Sequence, residues 1–224
     1  MKIIFLLLLG FSLSGNAFKS FEAEFTFSHH EFGNFKMTRK FIVDGSTAQS
    51  SFKLRPLLIF EYSQKSKLNI SDSEVTSIRT EVKNNIPGVN PSFFAVDFSD
   101  TEVVSEELGF NITKQNKILD QLGSDLQMRL NIKNNIARFS FDVIDNDKGN
   151  VITRTYAVEG RERIKTSFGE FNCVKVSATA DTASKIIYYL APELDYFVIK
   201  SLVELKNGKI NTLKINKKPK FLEG

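Results

Sequence analysis

The feature that most constrains the fold is a strict alternation of apolar and polar side chains near the beginning of the chain. The apolar positions are Phe21, Ala23, Phe25 and Phe27, and one polar residue separates each from the next. A strand with one buried and one hydrated face produces this period of two, whereas a helix does not. The pattern therefore predicts a β-strand, and the polar turn at 31–34 predicts that the strand continues into a hairpin.

The same period recurs in roughly ten segments of the chain. They include residues 35–41, 68–70, 75–82, 94–98, 137–143, 152–158, 171–178, 198–205 and 210–215. Two prolines and a glycine indicate a loop from Ile86 to Pro91. The pair Asn207-Gly208 predicts a type I′ turn, in which both central residues have positive φ. The acidic stretch from Asp97 to Glu107 is expected to be a solvated loop.

One stretch has a different period and predicts a helix. Apolar residues recur every four positions at Ile118, Leu122, Leu126 and Leu130, which is typical of an amphipathic helix with its apolar stripe on the sheet. Polar upstream residues can cap its start, and Asn134-Asn135 can end it. The candidate caps are Asn111, Thr113 and Asn116, and the residues predicted on other faces of the helix are Asp120, Gln121, Asp125 and Arg129.

Together these elements predict an all-β, mainly antiparallel fold. We expect a curved sheet, or a half-open or closed β-barrel, with the amphipathic helix packed at the opening. Residues 18–224 are predicted to form a single domain, because a chain of this length buries a sizeable core as one unit. The sequence has 21 Phe and no Trp, and rings without a polar group favour a thick core or an apolar cavity.

Residues 1–17 have the three parts of a secretory signal peptide. A lysine follows Met1, an apolar run extends from Ile3 to Leu9, and small residues precede a cleavage site before Phe18. These features predict export to the periplasm of a Gram-negative bacterium and no membrane span after cleavage. No cysteine lies near the site, so the mature protein is not expected to be a lipoprotein.

Charge gives little indication of a partner. The formal net charge is +4, and lysines cluster from about residue 214 onward, which we interpret as a solvated basic tail. No arginine cluster or basic recognition helix accompanies them, so nucleic acid is not expected as a partner.

The sequence contains no pattern typical of a catalytic or metal site. Cys173 is the only cysteine, and a small buried core thiol is its expected role. His29 and His30 are the only histidines, and adjacent strand residues are expected to point to opposite faces. The segment Asp145 to Asn150 departs from a calcium loop and predicts a hairpin turn instead. We therefore predict no catalytic residue, no metal, no cofactor and no enzymatic activity.

The C-terminal half resembles the bacterial exported family called domain of unknown function 3108. The residues that carry the resemblance are Tyr156–Gly160, Ile164–Phe171, Val174–Val176 and Tyr189–Tyr196, followed by a Lys-Asn-Gly turn. The resemblance extends over about residues 118–215 and includes a helix opened by Asp120. It departs from the family at Tyr189, where Trp is usual, and at Phe197, near a usual Pro. It implies an envelope location and a curved sheet like the half-barrels of lipoprotein carriers, but no activity.

The signature residues have structural interpretations. Gly169 permits a tight hairpin, Phe171 follows it into the core, and Pro192 fixes a turn between two strands. The remaining members of this structural set are Gly160, Leu190 and Ala191.

Two functional hypotheses follow. The leading one is a non-enzymatic envelope protein that shelters an apolar ligand, such as a lipid or acyl chain, with the helix as a lid. The candidate lining residues are Tyr188, Tyr189, Tyr196, Leu122 and Leu126. The second is an assembly or protein-interaction factor that uses exposed strand edges to bind an envelope protein. A hydrolase that uses Cys173 is a third, weaker alternative.

Overall fold

The computed structural model describes residues 18–57, 60–85, 91–145, 149–180 and 183–222, so the predicted signal segment lies outside the described residues. The described residues form sixteen strands, one α-helix and a 3-10 turn at Pro192–Leu194. The helix is α1 (Gln121–Lys133). The strands are β1 (Phe21–His29), β2 (Gly33–Asp44), β3 (Thr47–Leu57), β4 (Phe60–Ile70), β5 (Val75–Asn84), β6 (Phe93–Phe98), β7 (Glu102–Ser105), β8 (Phe110–Thr113), β9 (Ile118–Leu119), β10 (Arg138–Ile144), β11 (Val151–Thr166), β12 (Gly169–Ala180), β13 (Ala183–Ala191), β14 (Phe197–Leu205), β15 (Ile210–Ile215) and β16 (Lys220–Phe221).

These strands form one sheet in which β1 is central. An N-terminal arm runs from β2 to β8 in chain order, and a C-terminal arm runs from β15 back to β9. Neighbouring strands pair antiparallel along both arms, and β9 pairs parallel with β10. Within the described part of the chain the sheet does not close, because β8 and β9 remain its two edges. The predicted curved antiparallel sheet is confirmed in its open form.

Phenylalanine rings fill the inner face of the central strands. Phe25 and Phe41 are fully buried. Phe21 stacks on Phe41 with 5.5 Å between ring centroids and meets Phe197 edge-on at 4.7 Å. Each buried ring contributes about 1.5–3 kcal/mol from burial alone. The alternation that predicted β1 therefore marks the thickest part of the core.

Several strands were not predicted from the alternation of apolar residues. β3 and most of β4 carry serine, glutamine and lysine where a buried strand would carry apolar residues. The acidic stretch from Asp97 to Glu107, expected to be a loop, instead begins at the end of the predicted strand β6 and contains the whole of β7. The prediction failed there because charged side chains of this stretch have cross-strand partners, as Asp97 has Arg79 and Glu102 has Asn111.

The Asn-Gly hairpin between β14 and β15 differs from the predicted type I′ turn. Only Gly208 has positive φ, at 78°, and Asn207 does not. The Gly208 amide donates to the Leu205 carbonyl, and the Leu205 amide donates to the Lys209 carbonyl. This is a three-residue hairpin loop with a type I turn followed by a glycine bulge.

The lysine-rich C-terminal segment is part of the sheet. β16 pairs with β1, where Phe21 lies opposite Phe221. Lys217 forms an ion pair with Glu24 at 2.8 Å. The segment interpreted as a solvated tail therefore covers the end of β1, while its lysine side chains remain exposed.

The helix begins later than predicted. Ile118 and Leu119 form β9 rather than the first helical turn, and α1 begins at Gln121. The predicted caps Asn111 and Thr113 lie in β8, and the residue that caps the helix is Asp120. At the other end, the prediction that Asn134 ends the helix is confirmed.

The helix lies within the curve of the sheet and is enclosed on most sides. Polar residues Gln127, Arg129 and Asn131 are buried together with Leu126 and Leu130. A side chain on Gly123 would come within 2.8 Å of the Ser77 hydroxyl, so the helix approaches β5 closely. The expectation that Asp120 and Arg129 lie away from the buried stripe was wrong, because both make buried polar contacts with the sheet.

Asp120 attaches the start of α1 to the N-terminal arm. Its carboxylate accepts hydrogen bonds from the Leu122 amide at 2.8 Å, the Ser66 hydroxyl at 2.7 Å and the Ser77 hydroxyl at 2.5 Å. The backbone amide of Asp120 donates to Ser77 at 2.9 Å. Burial raises the pKa of Asp120, and the hydrogen bonds from Ser77 and Ser66 act in the opposite direction.

Arg129 attaches the middle of α1 to the C-terminal arm. Its guanidinium donates to the backbone carbonyls of Asp195 and Tyr196, at 3.1 and 3.2 Å. It lies 4.5 Å above the ring of Phe18. Both Asp195 and Tyr196 have left-handed backbones, with φ of 57° and 55°, a conformation that costs free energy outside glycine. Arg129 therefore stabilises a strained turn.

Replacing Asp120 is expected to destabilise the protein. Asp120→Ala leaves two serine hydroxyls and the first helical amides without their buried acceptor, so the free energy of unfolding should fall by about 3 kcal/mol. Asp120→Asn keeps one acceptor oxygen and should lose less. Urea denaturation measures both, with Asp100→Ala in an exposed turn as the control, expected to change by less than about 0.5 kcal/mol. Equal stability of Asp120→Ala and the control would contradict this account of the helix.

Candidate binding groove

A groove of about 350 Å³ lies on the inner face of the sheet, between the two arms and beside the start of α1. One wall comes from β2, β3 and β4, and the other comes from β13, β14 and β15. The lining residues are Phe27, Met37, Arg39, Phe52, Leu54, Tyr62, Gln121, Leu122, Asp125, Arg154, Ile186, Tyr188, Ser201, Val203 and Leu213.

Strand register explains why these side chains face one another. On the N-terminal arm, Met37 lies opposite Leu54, which lies opposite Tyr62. On the C-terminal arm, a row of cross-strand pairs connects Tyr188, Ser201, Leu213 and Phe27. Because directly opposite residues share a face of the sheet, both rows point inward.

The apolar walls of the groove are incompletely covered. Phe27, Met37, Phe52, Leu54 and Leu213 all retain partial exposure on the inner face. The corresponding positions nearer the helix, such as Phe25 and Phe41, are fully buried. Apolar surface that remains open inside a curved sheet is typical of a ligand site rather than of a finished core.

The groove also contains charge. Arg39 forms an ion pair with Asp125 of α1, with 3.3 Å between Nη1 and Oδ2, and only 11% of the Arg39 side chain is exposed. Arg154 of β11 lies within 3.5 Å of the Ser124 hydroxyl. Burial raises the pKa of Tyr156 to about 12 and raises that of Tyr188 well above its usual range. Both phenols therefore remain neutral hydrogen-bonding groups.

A larger trough, of about 640 Å³, lies on the outer face of the N-terminal arm. Its walls are mainly lysine and glutamate side chains, and several form exposed ion pairs, such as Lys40 with Glu22 and Lys53 with Glu61. Exposed pairs of this kind contribute little binding or stability. The inner groove, with its apolar walls, is the better candidate site.

The five predicted lining residues occupy different places. Tyr188 and Leu122 line the inner groove. Leu126 is buried in the core with the phenylalanines. Tyr189 is buried on another side of its strand, where Lys200 lies 5.1 Å from its ring. Tyr196 borders a separate shallow cleft near the end of α1.

The lining residues of the N-terminal arm, and Arg154 of the C-terminal arm, were not predicted from the sequence. Alternate residues of a strand share one face, so Arg39 of β2 lies on the inner face with Met37 and Phe41. In the same way, Arg154 of β11 lies on one face with Ile152 and Tyr156. A charged residue at an inward-facing position is the signal that could have identified them.

The two histidines are closer together than predicted. Their rings stack with 4.5 Å between centroids, because β1 ends at His29 and His30 lies in the turn. His30 Nδ1 lies 2.8 Å from the Asn211 side-chain oxygen.

Among the described residues no group of His, Cys, Asp and Glu side chains is arranged to hold a metal ion. Residues 146–148 of the turn compared with a calcium loop lie outside the described residues.

The signature glycines lie where the backbone requires them. Gly160 has φ of 121° at a bulge between β11 and β12, and Gly169 has φ of 150° where β12 begins. Phe171 is half-buried against the core, Leu190 and Ala191 are fully buried, and Pro192 starts the 3-10 turn.

Cys173 is inaccessible. Its side chain is fully buried, and burial raises the pKa of its thiol to about 12, with nearby Glu193 and Glu162 acting in the same direction. A nucleophilic cysteine requires the opposite environment.

We therefore expect the Cys173 thiol to resist modification in the native protein. A maleimide at mildly alkaline pH should label the folded chain far more slowly than the urea-unfolded chain, because the thiolate is the reactive form. Intact-mass measurement over time gives both rates. Equal rates in the two states would show that the thiol is accessible.

No helix in the described ranges is long and apolar enough to span a bilayer.

A search of curated proteins finds no match to this chain. The crystal structure of a β-barrel-like protein of domain of unknown function DUF1849 from Brucella abortus superposes with a TM-score of 0.64 at 9% identity, over 92% of this chain and 99% of that one. A DUF1329 family protein from Desulfovibrio piger gives a TM-score of 0.27 at 9% identity, over 91% and 85% of the two chains.

The similarity to the Brucella protein shows the fold alone. The match to a sequence family is independent of it and falls on the segment that carries the signature residues. Residues 109–214 match the family of proteins of unknown function DUF3108, which confirms the resemblance predicted from the signature residues of the C-terminal half.

Proposed function

We propose that this protein is a non-enzymatic protein of the bacterial periplasm that binds a single lipid or acyl chain in the inner groove. The observation that carries the proposal is the row of partly exposed apolar side chains on the concave face, where Phe52 and Leu54 face Leu213 and Val203 across an open space. A volume of about 350 Å³ is at the lower end of the range for small-molecule sites, about 300–1,000 Å³.

The open groove between the two arms can accept a flexible chain. Its walls are strand rows that run across both arms, and it is open to solvent rather than enclosed. A flexible chain can follow such a groove while one end remains in water. The helix contributes Leu122 and Asp125 at one end of the groove, which supports a role in closing that end.

The chemistry of the groove favours binding over catalysis. Its polar groups are two arginines, one carboxylate and the phenols of Tyr62 and Tyr188, together with Gln121 and Ser201. Neither histidine is among the lining residues, and Cys173 is buried elsewhere. General-base or nucleophilic chemistry needs an activated pair within hydrogen-bond reach, and the described lining residues offer none.

The assembly-factor hypothesis is less well supported. It requires a long exposed strand edge that can pair with a partner. The two edges of the sheet, β8 and β9, have four and two residues. Short edges of this kind are poor templates for strand addition, so the groove remains the better-supported site.

Blocking the groove is expected to abolish binding of a neutral apolar probe. Leu54→Trp and Leu213→Trp each place an indole in the space that the chain needs, and should weaken binding of N-phenyl-1-naphthylamine by about tenfold or more. Fluorescence titration measures this, with Thr155→Trp on the exposed face of β11 as the control.

Native mass spectrometry of gently extracted protein complements the titration. We expect a co-purifying lipid that is lost in both groove variants. Absence of any lipid, together with undiminished probe binding in both variants, would refute a ligand site in the groove.

Export is tested separately. If residues 1–17 are a signal peptide, the periplasmic fraction of expressing bacteria should contain a chain whose intact mass begins at Phe18. Deleting residues 2–17 should leave the protein in the cytoplasm. A full-length chain that accumulates in the cytoplasm despite an intact N-terminus would contradict this location.

A further inference from the structure

Positive charge exceeds negative charge inside the groove. Of the described residues that line it, Arg39 and Arg154 are basic and Asp125 alone is acidic. Asp125 lies 3.3 Å from Arg39, and it also acts electrostatically on Arg154 and on the phenols of Tyr156 and Tyr188. One carboxylate therefore serves two guanidinium groups.

Neighbouring charges do not remove this excess. Arg129, the third buried arginine near Asp125, is bonded to backbone carbonyls and lies close to Asp195. Asp120, the other carboxylate of the helix start, is engaged by serine hydroxyls and backbone amides on the side facing β4 and β5. Neither group compensates the second arginine of the groove.

The two arginines also have unused hydrogen-bonding capacity. The Nε atoms of both Arg39 and Arg154 are buried and have no hydrogen-bond partner among the described residues. The hydrogen bond from the Arg154 side chain to Ser124 is long, at 3.5 Å, and the guanidinium also interacts with the Tyr156 phenol. Buried donors of this kind usually have partners, and a guanidinium presents paired N–H groups that match the oxygens of a carboxylate or phosphate.

We propose that the groove is selective for amphiphiles with an anionic oxyacid head group, which Arg39 and Arg154 bind while the chain lies against Phe52, Leu54 and Leu213. This inference rests on the proposed lipid-binding function and adds the class of ligand. The head group lies beside Asp125, at the junction of β2, β11 and α1. Its negative charge and that of Asp125 together balance the two arginines.

The test compares ligands that share one chain and differ in the head group. Dodecanoate, dodecyl phosphate and dodecanol compete for the N-phenyl-1-naphthylamine site near neutral pH. The wild-type protein should bind at least one of the two anions about tenfold more tightly than the alcohol. The better of the two anions identifies the head group as a carboxylate or a phosphate.

Replacing each arginine tests whether its guanidinium produces the preference for the anion over dodecanol. Arg39→Met and Arg154→Met should each remove most of the preference for the anion while leaving the affinity for dodecanol unchanged. Arg163→Met, an exposed arginine on the same strand as Arg154, is the matched control and should retain the preference. Asp125→Asn should change affinity in the opposite direction, strengthening binding of the anion because it removes the competing carboxylate.

Circular dichroism and thermal unfolding establish that each variant is folded, and Arg39→Gln or Arg154→Gln, which also removes the charge, replaces a methionine variant that is not. Equal affinity for anion and alcohol in the wild-type protein overturns the inference but leaves the proposed function intact. The same conclusion follows if the preference persists in both arginine variants. Failure of all three ligands to displace the probe overturns the proposed function itself.

Discussion

Buried polar contacts at two points of α1 fix the helix between the two arms of the sheet. Asp120 binds serine hydroxyls of β4 and β5, and Arg129 binds the carbonyls of the turn after β13. Apolar packing alone tolerates sliding, whereas a buried charge is stable only where its partners lie. These contacts therefore set the position of the helix, and the helix sets the spacing of the arms.

The position of the helix divides the concave face into two parts. On one side, Leu126 and Leu130 pack against the phenylalanines of β1 and β2 and complete the core. On the other, Leu122 and Asp125 only border the groove, and the rings of Phe27 and Phe52 remain partly uncovered. A single helix is too narrow to cover a sheet this wide, so the open groove follows from the architecture.

Local sequence was sufficient to predict much of the sheet but not the site. The alternation at Phe21–Phe27 and the glycine of the last hairpin are encoded within a few residues. The groove depends on pairing between residues far apart in the chain, such as Phe27 with Leu213, and on the burial of helix polar residues such as Arg129. Most of the polar strand β4 was missed because its inward-facing Gln64 and Ser66 bond to each other and to Asp120, which no periodicity of apolar residues reveals.

The two inward-facing arginines, Arg39 and Arg154, differ in how far the fold alone accounts for them. A buried guanidinium is stable where a carboxylate or hydrogen-bond acceptors face it, and the pair of Arg39 with Asp125 meets that need while linking β2 to the helix. Arg154 forms no ion pair of its own within the part of the chain that the structure describes, and a strand that needed only to pack would carry an apolar residue between Ile152 and Tyr156. Keeping an uncompensated cation on an apolar wall costs stability in the empty protein. Under the proposed function, an anion that enters the groove offsets that cost, and this proposal accounts for Arg154 better than packing alone does.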